Sequence, residues 1–463
     1  MVNTQRTNRS ITTGRRRRGR FGRGGIALLA LSGILVASAA DVATRETNPT
    51  APVAAFADSG PVTFAGTKLE PGSPVPLSLI TEESFKEFAG KGFTGKGIDV
   101  ALIDSGVTAV RGLDQSGKIL YGPDLSNEGG FDNLANLDTF GHGTHLAGII
   151  AGDDGDQVGG IAPDSRIVSV KVAGATGETD VAQVIAGIDW VIEHKNDHGL
   201  NIRILNLSLG VSGVPTNAGD PLSIAVERAW DAGIVVVAAA GNRGNEAGGI
   251  DSPAVSPYVI AVGATESYDS SGKKDTIPAW SSGGNEYRQP DVMAPGRSIM
   301  SFRVPGSMLD QLHPSAVVEG KYFVGSGTSQ AAAVVSGFTA AMLSGYPSLT
   351  PDQVKYLFEE DAKEISKRVS VEGHGRIQPK DTVRHTKDAG KAESQHHTKA
   401  NRKQDSTEPV ATLGATWSGG AWNGATWSGG VWSGATWSGA TWSGATWSGA
   451  TWSGATWSGT VWS

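Results

Sequence analysis

The chain has 463 residues, long enough for one large domain with extensions, and its 39% hydrophobic content is ordinary for a globular core. It contains no cysteine, so disulfide bonds are excluded and the redox compartment is left undetermined. The net charge is −7, but the first 40 residues carry eight arginines and no acidic residue, which leaves about −15 on the rest. Such an acidic body argues against a nucleic-acid partner.

The N-terminus has the layout of a secretory signal. Arginines cluster up to Arg23, an apolar run of 12 residues follows at Ile26–Ala37, and Ala37-Ser38-Ala39 offers small residues for cleavage. The run is shorter than the about 20 residues that a membrane span needs. We therefore predict a signal peptide at residues 1–40 and a secreted, extracellular protein. The alternatives are a basic RNA-binding arm and an uncleaved anchor.

Residues 41–76 are rich in Ala, Pro, Thr and Gly, which indicates a linker or short pro-segment, and residues 77–379 are predicted to form the folded domain. In this domain apolar runs alternate with amphipathic helices. That alternation predicts an α/β fold with a doubly wound, mainly parallel sheet flanked by helices. The predicted strands are Ile98–Ile103, Ile167–Val172, Ile202–Leu207, Ile234–Ala239 and Tyr258–Val262, and the predicted helices are Asp180–His194 and Ser223–Ala232.

Three further segments of this domain have weaker patterns. Ile80–Phe88 is predicted as a short helix, and Tyr356–Ile365 as the last helix. Residues 301–320 are expected to form an irregular insertion.

Candidate chemistry lies at the ends of the predicted elements. Asp104 follows the first strand, at the edge where open α/β sheets place their sites. His142 begins a small-residue helix, three residues before His145. The two histidines could bind a metal at one-turn spacing, but no glutamate lies between them as in a zinc protease. We interpret His145 as a structural hydrogen-bonding residue and His142 as a residue that faces a cleft.

Ser329 stands near the start of another small-residue helix. It follows Gly325 and Gly327, which permit close approaches that a side chain would block. The N–H groups and the dipole at a helix N-terminus favour negative charge, so a nucleophile placed there has help for the oxyanion that it generates. Taken alone, such a Gly-Thr-Ser run is more often a helix cap.

Asp104, His142 and Ser329 occur in the chain order that is found in subtilisin. With their surroundings they make the chain resemble the subtilisin-like serine proteases (subtilases, peptidase family S8). The resemblance covers roughly residues 77–366. The matching stretches are Val100–Val107, Gly141–Gly148, Asn206–Gly210, Ala238–Asn242 and Gly327–Ala331.

The resemblance implies a secreted serine endopeptidase that hydrolyses peptide bonds through an acyl-enzyme intermediate. Asp104, His142 and Ser329 would form its catalytic triad, in which the histidine takes the serine proton and the aspartate holds the histidine tautomer. Asn242 would donate its amide to the oxyanion, together with the backbone N–H of Ser329. A substrate peptide would bind as an added strand. The implied substrate-binding residues are Ser208, Leu209, Gly210, Ala240 and Gly241.

Asp251 is expected near the bottom of the pocket for the side chain that precedes the scissile bond. An acid at that point would favour basic substrate side chains. The alternative is an exposed acid in a loop.

The implied chemistry requires no cofactor, and its partners are protein or peptide substrates. Structural calcium is common in the family, and the loop after the histidine helix offers three carboxylates, which suit a hard cation. The candidate calcium ligands are Asp153, Asp154 and Asp156. The loop does not match an EF-hand, and a solvated acidic loop is the alternative. Residues 41–76 are also shorter than the inhibitory pro-domain of many secreted subtilases.

The C-terminal part changes character. Residues 380–412 are charged and poor in apolar side chains, which predicts a disordered linker. Residues 413–463 place a tryptophan every five residues from Trp417 to Trp462, in Trp-Ser-Gly-Ala-Thr units. Some secreted actinobacterial proteases carry similar tails. Three interpretations stay open: contact with a cell surface or polysaccharide, a Trp-lined β-solenoid or self-association, and plain disorder.

The leading hypothesis is the endopeptidase, acting as a monomer. The alternative is a non-catalytic surface or adhesive protein that acts through its tail, with the protease fold as a spacer. The intact set of Asp104, His142, Ser329 and Asn242 argues against that alternative. Lipid or ester hydrolysis is a weaker option, because the Gly-x-Ser-x-Gly motif of α/β-hydrolases is absent around Ser329.

Overall fold

A computed structural model of the chain describes most of the predicted domain. The described residues are 73–80, 88, 90–155, 158–214, 216–244, 248–267, 274–366 and 369–386, with the backbone of two short strands at 446–447 and 450–451. The predicted signal peptide and nearly all of the predicted pro-segment, charged linker and repeat tail lie outside these residues, so the predictions for them stay predictions.

A seven-stranded sheet forms the centre of the domain. Its paired strands all run parallel, in the order β2-β3-β1-β4-β5-β6-β7. The strands are β1 (Asp99–Asp104), β2 (Ile119–Asp124), β3 (Arg166–Lys171), β4 (Ile202–Leu207), β5 (Val235–Ala239), β6 (Ile260–Thr265) and β7 (Val292–Pro295). Four of them are buried along their whole length, as expected of parallel strands covered on both faces. The predicted doubly wound, mainly parallel sheet is confirmed.

Helices flank the sheet as two packed pairs. One pair is α1 (His142–Ala151) with α5 (Thr328–Gly345), and the other is α2 (Val181–His194) with α3 (Pro221–Asp231). Helix α5 is buried over nearly its whole length, because it packs against α1 and against β4, β5, β6 and β7. Its many alanines and glycines let it approach these neighbours closely. The helix that carries Ser329 therefore lies within the core of the fold.

The region before α5 is more regular than the sequence indicated. It contains β8 (Ile299–Phe302), α4 (Met308–Leu312), β9 (Val317–Val318) and β10 (Tyr322–Gly325), and the strands form an antiparallel sheet in the order β8-β10-β9. Met300, Phe302 and Tyr322 are buried and hold this small sheet to the core. The prediction of an irregular insertion at residues 301–320 is therefore wrong.

The folded domain extends beyond both predicted boundaries. Val75 lies inside the segment predicted as a linker or short pro-segment, and it forms a parallel bridge with Ile299. At the other end, α6 (Pro351–Asp361) begins before the predicted last helix, because Thr350 caps it with Pro351 in first position. Two more helices follow, α7 (Val369–Glu372) and α8 (Pro379–His385). Helix α8 packs against α6 and buries Val383, so the predicted linker at 380 begins within a packed helix.

Two smaller segments complete the described backbone. Residues 77–80 are helical, but the rest of the predicted helix at 80–88 lies largely outside the described residues. In the repeat tail, β11 (Thr446–Trp447) pairs antiparallel with β12 (Ala450–Thr451). Across the part of the chain that the structure describes, no helix is both long and apolar enough to cross a membrane.

A fully buried lysine connects the sheet to the loops at its carboxyl edge. Lys171 ends β3, and its Nζ donates to the carbonyl oxygens of Ser105 (2.9 Å) and Leu137 (2.6 Å). It also forms an ion pair with Glu128 at 2.9 Å. These contacts fix the loops that follow Asp104 and precede His142. A buried lysine charge is tolerated here only while its hydrogen-bond and ion-pair partners remain.

Replacing this lysine should destabilise the domain strongly. In a Ser329→Ala background, which removes the expected nucleophile and so prevents self-digestion, we expect Lys171→Met to lower the free energy of unfolding by about 3–5 kcal/mol. The reason is that the carbonyl oxygens of Ser105 and Leu137 and the carboxylate of Glu128 lose their partner. Urea denaturation would measure it. The matched control is Lys96→Met at an exposed lysine, expected within about 0.5 kcal/mol of the parent. Equal stability of the two variants would contradict the assignment.

Candidate active site

The predicted site residues gather at the carboxyl edge of the parallel sheet. Asp104 is the last residue of β1, Ser208 follows β4, and Asn242 follows β5. Strands β1, β4 and β5 are neighbours in the sheet, so residues far apart in sequence come together at one edge. His142 and Ser329 reach the site from the N-terminal turns of α1 and α5, which pack against each other.

Asp104 and His142 form a direct hydrogen bond. The imidazole Nδ1 lies 2.9 Å from Oδ1 and 3.1 Å from Oδ2 of the carboxylate. Because a carboxylate accepts, Nδ1 must carry the proton, which leaves Nε2 as the acceptor of the neutral ring. The Asp104 carboxylate is buried and also accepts from the Ser105 N–H at 2.7 Å. Its orientation is thereby fixed.

The turn before His142 has a conformation that glycine favours. Gly141 has a φ of 103°, and a Cβ there would lie 2.5 Å from the Ser307 Oγ. The turn is held by Asp138, whose carboxylate accepts from the N–H groups of Gly141 and Thr144, each at 2.7 Å. Asp138 therefore satisfies N–H groups at the start of α1, whose N-cap is Gly141, and sets the point at which His142 enters the site.

Asp138 also places a second carboxylate beside the histidine. The hydroxyl of Ser105 lies 2.8 Å from Asp138 Oδ1 and 3.1 Å from Asp104 Oδ1, so it bridges the two buried acids. Burial opposes protonation of His142. The charge and hydrogen bond of Asp104, together with the charge of Asp138, outweigh burial and raise the His142 pKa above its ordinary 6.5.

His145 has the structural role expected from the sequence. Its Nε2 donates to the carbonyl oxygen of Phe323 at 3.1 Å, and the side chain is buried. Burial and the nearby His142 lower its pKa to about 4, so the ring is neutral at physiological pH. This contact ties α1 to β10.

Ser329 lies in the first turn of α5 and is buried. Its Oγ donates to the carbonyl oxygen of Ser208 at 3.2 Å. The segment after β4 is in turn held by a hydrogen bond from the Ser208 hydroxyl to Asn206 Oδ1 at 2.8 Å, and Asn206 donates to Ser336 on α5 at 2.9 Å. The predicted nucleophile and the first predicted substrate-binding segment are therefore direct neighbours.

Asn242 is oriented by its amide oxygen. Oδ1 accepts from both the N–H (2.9 Å) and the hydroxyl (3.1 Å) of Thr328, the residue before Ser329. The amide nitrogen must then point the other way, and it adjoins Gly327, where a Cβ would lie 3.2 Å from Nδ2. The Thr328 hydroxyl also accepts from the Gly241 N–H at 3.0 Å. The Nδ2 donor of Asn242 is thus held next to the N-terminus of α5.

The two predicted pocket segments enclose Asp251. Ser208, Leu209 and Gly210 form one segment, Ala240 and Gly241 belong to the other, and all five residues are buried. A Cβ on Gly210 would lie 2.9 Å from Asp251 Cβ, and one on Gly241 would lie 2.1 Å from Asp251 Oδ2. Asp251 itself is 3% exposed, so the alternative of an exposed loop acid is wrong.

Two of the candidate calcium ligands accept hydrogen bonds from the protein itself. Asp154 accepts from the Tyr322 hydroxyl (2.6 Å) and the Val158 N–H (3.1 Å), and Asp153 accepts from the Gly155 N–H (3.1 Å). Asp156 lies outside the described residues. Among those that are described, no group of three acidic or histidine side chains could hold a metal ion. Calcium at Asp153, Asp154 and Asp156 stays a prediction.

Several residues of the site were not found from the sequence. Asp138 had a usable signal, since an aspartate shortly before a small-residue helix is a helix-start pattern. Thr328 and Lys171 had no sequence signal for their roles, because their partners lie on other elements. The same is true of Arg243, which forms an ion pair with Asp251 at 2.6 Å.

The proteins that this chain resembles are named as proteases. The sequence profile of the subtilase family matches residues 95–398, more than half of the chain. Serine protease AprX of Bacillus subtilis is 39% identical over 280 residues, which cover 58% of this chain and 62% of AprX. Subtilisin of Bacillus pumilus is 35% identical over 280 residues, which cover 59% of this chain and 86% of that protein.

A solved structure is also similar. Fervidolysin from Fervidobacterium pennivorans, a keratinolytic enzyme related to subtilisin, matches with a TM-score of 0.53 at 26% identity, covering 67% of this chain and 45% of fervidolysin. The chain spans less than two thirds of the length of AprX and of fervidolysin. The profile match and the identity to subtilisin nevertheless agree with the site geometry: this chain belongs to the subtilase family.

Proposed function

We propose that this chain is a secreted serine endopeptidase that hydrolyses peptide bonds through an acyl-enzyme intermediate. The observation that carries the proposal is the bond from His142 Nδ1 to Asp104, at the same sheet edge as a serine in the first turn of α5. The relatives named as proteases support peptide substrates. The arginine-rich, then apolar, N-terminus supports secretion.

In the proposed first step, His142 acts as general base. Asp104 holds the Nδ1 proton, so Nε2 is available to take the proton of the Ser329 hydroxyl as Oγ attacks the substrate carbonyl. Asp104 then stabilises the imidazolium that forms. The nearby charge of Asp138 favours the same positive ring.

The attack generates an oxyanion at the N-terminus of α5. The Nδ2 of Asn242 and the backbone N–H of Ser329 would donate to it, and the helix dipole adds to their effect. His142 next gives its proton to the leaving amine, which departs and leaves an ester on Ser329. Water, activated by the same histidine, hydrolyses the ester and restores the serine.

The proposed substrate lies along the segments after β4 and β5. Both segments continue from strands of the sheet, and extended backbone beside them can pair with a peptide as an added strand. The side chain before the scissile bond would approach the two segments at Gly210 and Gly241, where the absence of glycine side chains leaves room for Asp251.

The direct test is hydrolysis of casein, an unstructured protein. We expect the purified protein to cleave it, and Ser329→Ala to lower the rate by at least ~10³-fold, because the variant lacks the hydroxyl that would form the acyl ester. Circular dichroism and thermal unfolding of both proteins would control for folding. Undiminished cleavage by Ser329→Ala, or no cleavage by folded wild type, would contradict the proposal and favour the alternative of a protein that acts through its tail.

The oxyanion role of Asn242 has a matched pair of variants. Asn242→Asp keeps the acceptor that holds Thr328, whereas Asn242→Ala removes it. Both lose the amide donor, so both should lower kcat about 10²–10³-fold with little change in KM, the loss known for the oxyanion asparagine of subtilisin. Steady-state kinetics on a peptide substrate would measure this. An Asn242→Asp enzyme with wild-type kcat would remove the residue from the mechanism.

Asp138 should influence the acidic limb of the pH profile. Catalysis needs neutral His142, so kcat/KM falls as pH drops through the His142 pKa, which lies above 6.5. Asp138→Asn removes one of the charges that raise this pKa, so the limb should move to lower pH. The control is Asp180→Asn, which alters the cap of α2, a helix that does not carry the site. A purely structural role of Asp138 predicts lower stability with an unmoved limb.

A further inference from the structure

The two predicted pocket segments lie against an ion pair that belongs to the protein itself. Asp251 is fixed between the two pocket segments by its N–H bond to the carbonyl oxygen of Ala240 (2.9 Å) and by the bridge between Val211 and Ser252. Gly210 and Gly241 are the residues that give it room. Any side chain inserted between the two segments therefore approaches the Asp251 carboxylate.

The partner of this carboxylate is Arg243, the residue after Asn242. Its Nη2 lies 2.6 Å and its Nε 2.7 Å from Asp251 Oδ1, and Nη2 also donates to the Gly249 carbonyl oxygen at 3.0 Å. The Arg243 backbone N–H donates to the Ser282 hydroxyl at 3.0 Å, so the arginine is fixed at both ends. Its side chain remains 34% exposed, whereas that of Asp251 is 5% exposed. The cation thus stands between the buried acid and solvent.

The two charges must be considered together. Burial raises the pKa of Asp251, and the hydrogen bond and charge of Arg243 act against that rise and favour the ionised acid. An arginine tethered eight residues away competes with any incoming cation at high effective concentration. A basic substrate side chain would therefore meet a carboxylate whose charge is already compensated, and it would also meet the positive charge of Arg243.

We propose that the Arg243–Asp251 ion pair sets the selectivity for the side chain before the scissile bond, by cancelling a negative charge that would otherwise select arginine or lysine. The inference rests on the proposed endopeptidase function. It replaces the simpler expectation that Asp251 alone favours basic residues. The wild-type pocket is selective for uncharged side chains. Arg243 cancels the preference of Asp251 for basic side chains, and Asp251 cancels the preference of Arg243 for acidic ones.

Charge-removing variants test this in two opposite directions. The substrates are peptides that differ only in the residue before the scissile bond, which is arginine, glutamate or glutamine. The proteins are wild type, Arg243→Gln, Asp251→Asn and the double variant, each as the full chain. Glutamine and asparagine keep a hydrogen-bonding group at each position, which limits the cost to folding. The measured quantity is the ratio of kcat/KM between charged and glutamine peptides.

We expect Arg243→Gln to raise the arginine-to-glutamine ratio at least ~10-fold, because a buried carboxylate is left without its partner. We expect Asp251→Asn to raise the glutamate-to-glutamine ratio to a similar extent, because the guanidinium is then uncompensated. In the double variant both preferences should disappear. If Arg243→Gln does not fold, the Asp251→Asn result decides alone.

The failures of the two proposals are distinguishable. If wild type cleaves none of the three peptides and no casein, the proposed function fails and the inference falls with it. If the peptides are cleaved but the ratios stay within ~2-fold of wild type in both folded single variants, the ion pair does not control selectivity and only the inference is overturned. A wild type that already prefers arginine over glutamine by at least ~10-fold would also overturn it.

Discussion

The contact between Asp104 and His142 depends on keeping two carboxylates buried beside one imidazole. Removing a carboxylate from water is costly unless donors replace the lost hydration. The chain supplies those donors from the backbone: Ser105 N–H for Asp104, and the N–H groups of Gly141 and Thr144 for Asp138. The requirement dictates the conformation of both loops at this edge of the sheet. The position of His142 thus follows from the way in which backbone N–H groups replace water around the two buried carboxylates.

The segment between β8 and β10 stabilises the loop before His142 through backbone hydrogen bonds. The N–H groups of Met308 and Leu309 donate to the carbonyl oxygens of Thr139 (2.9 Å) and Phe140 (3.0 Å), in the loop that leads to His142. Backbone groups buried at a loop need such partners, and α4 provides them. The segment that looked irregular from its sequence therefore supports the turn that positions the general base.

Much of the sheet and the main site residues could be predicted, because strong local patterns carry them. The apolar run at Ile202–Leu207 has the same bounds in sequence and structure, and the glycine-rich motifs around His142 and Ser329 lie at element ends as expected. Strand β2 was missed because it is only partly buried and lacks a continuous apolar run. The ion pair of Arg243 with Asp251 could not be foreseen, since it depends on how the loop after β5 folds back between two glycines.

The central claim is that His142, held by Asp104, activates Ser329 as a nucleophile. The most direct measurement is the rate at which phenylmethylsulfonyl fluoride modifies the protein, with the modified residue located by peptide mass spectrometry. The account predicts a single adduct on Ser329, formed at least ~10²-fold more slowly in His142→Ala, because the hydroxyl loses its general base. An adduct on another residue, or an equal rate in His142→Ala, would contradict it.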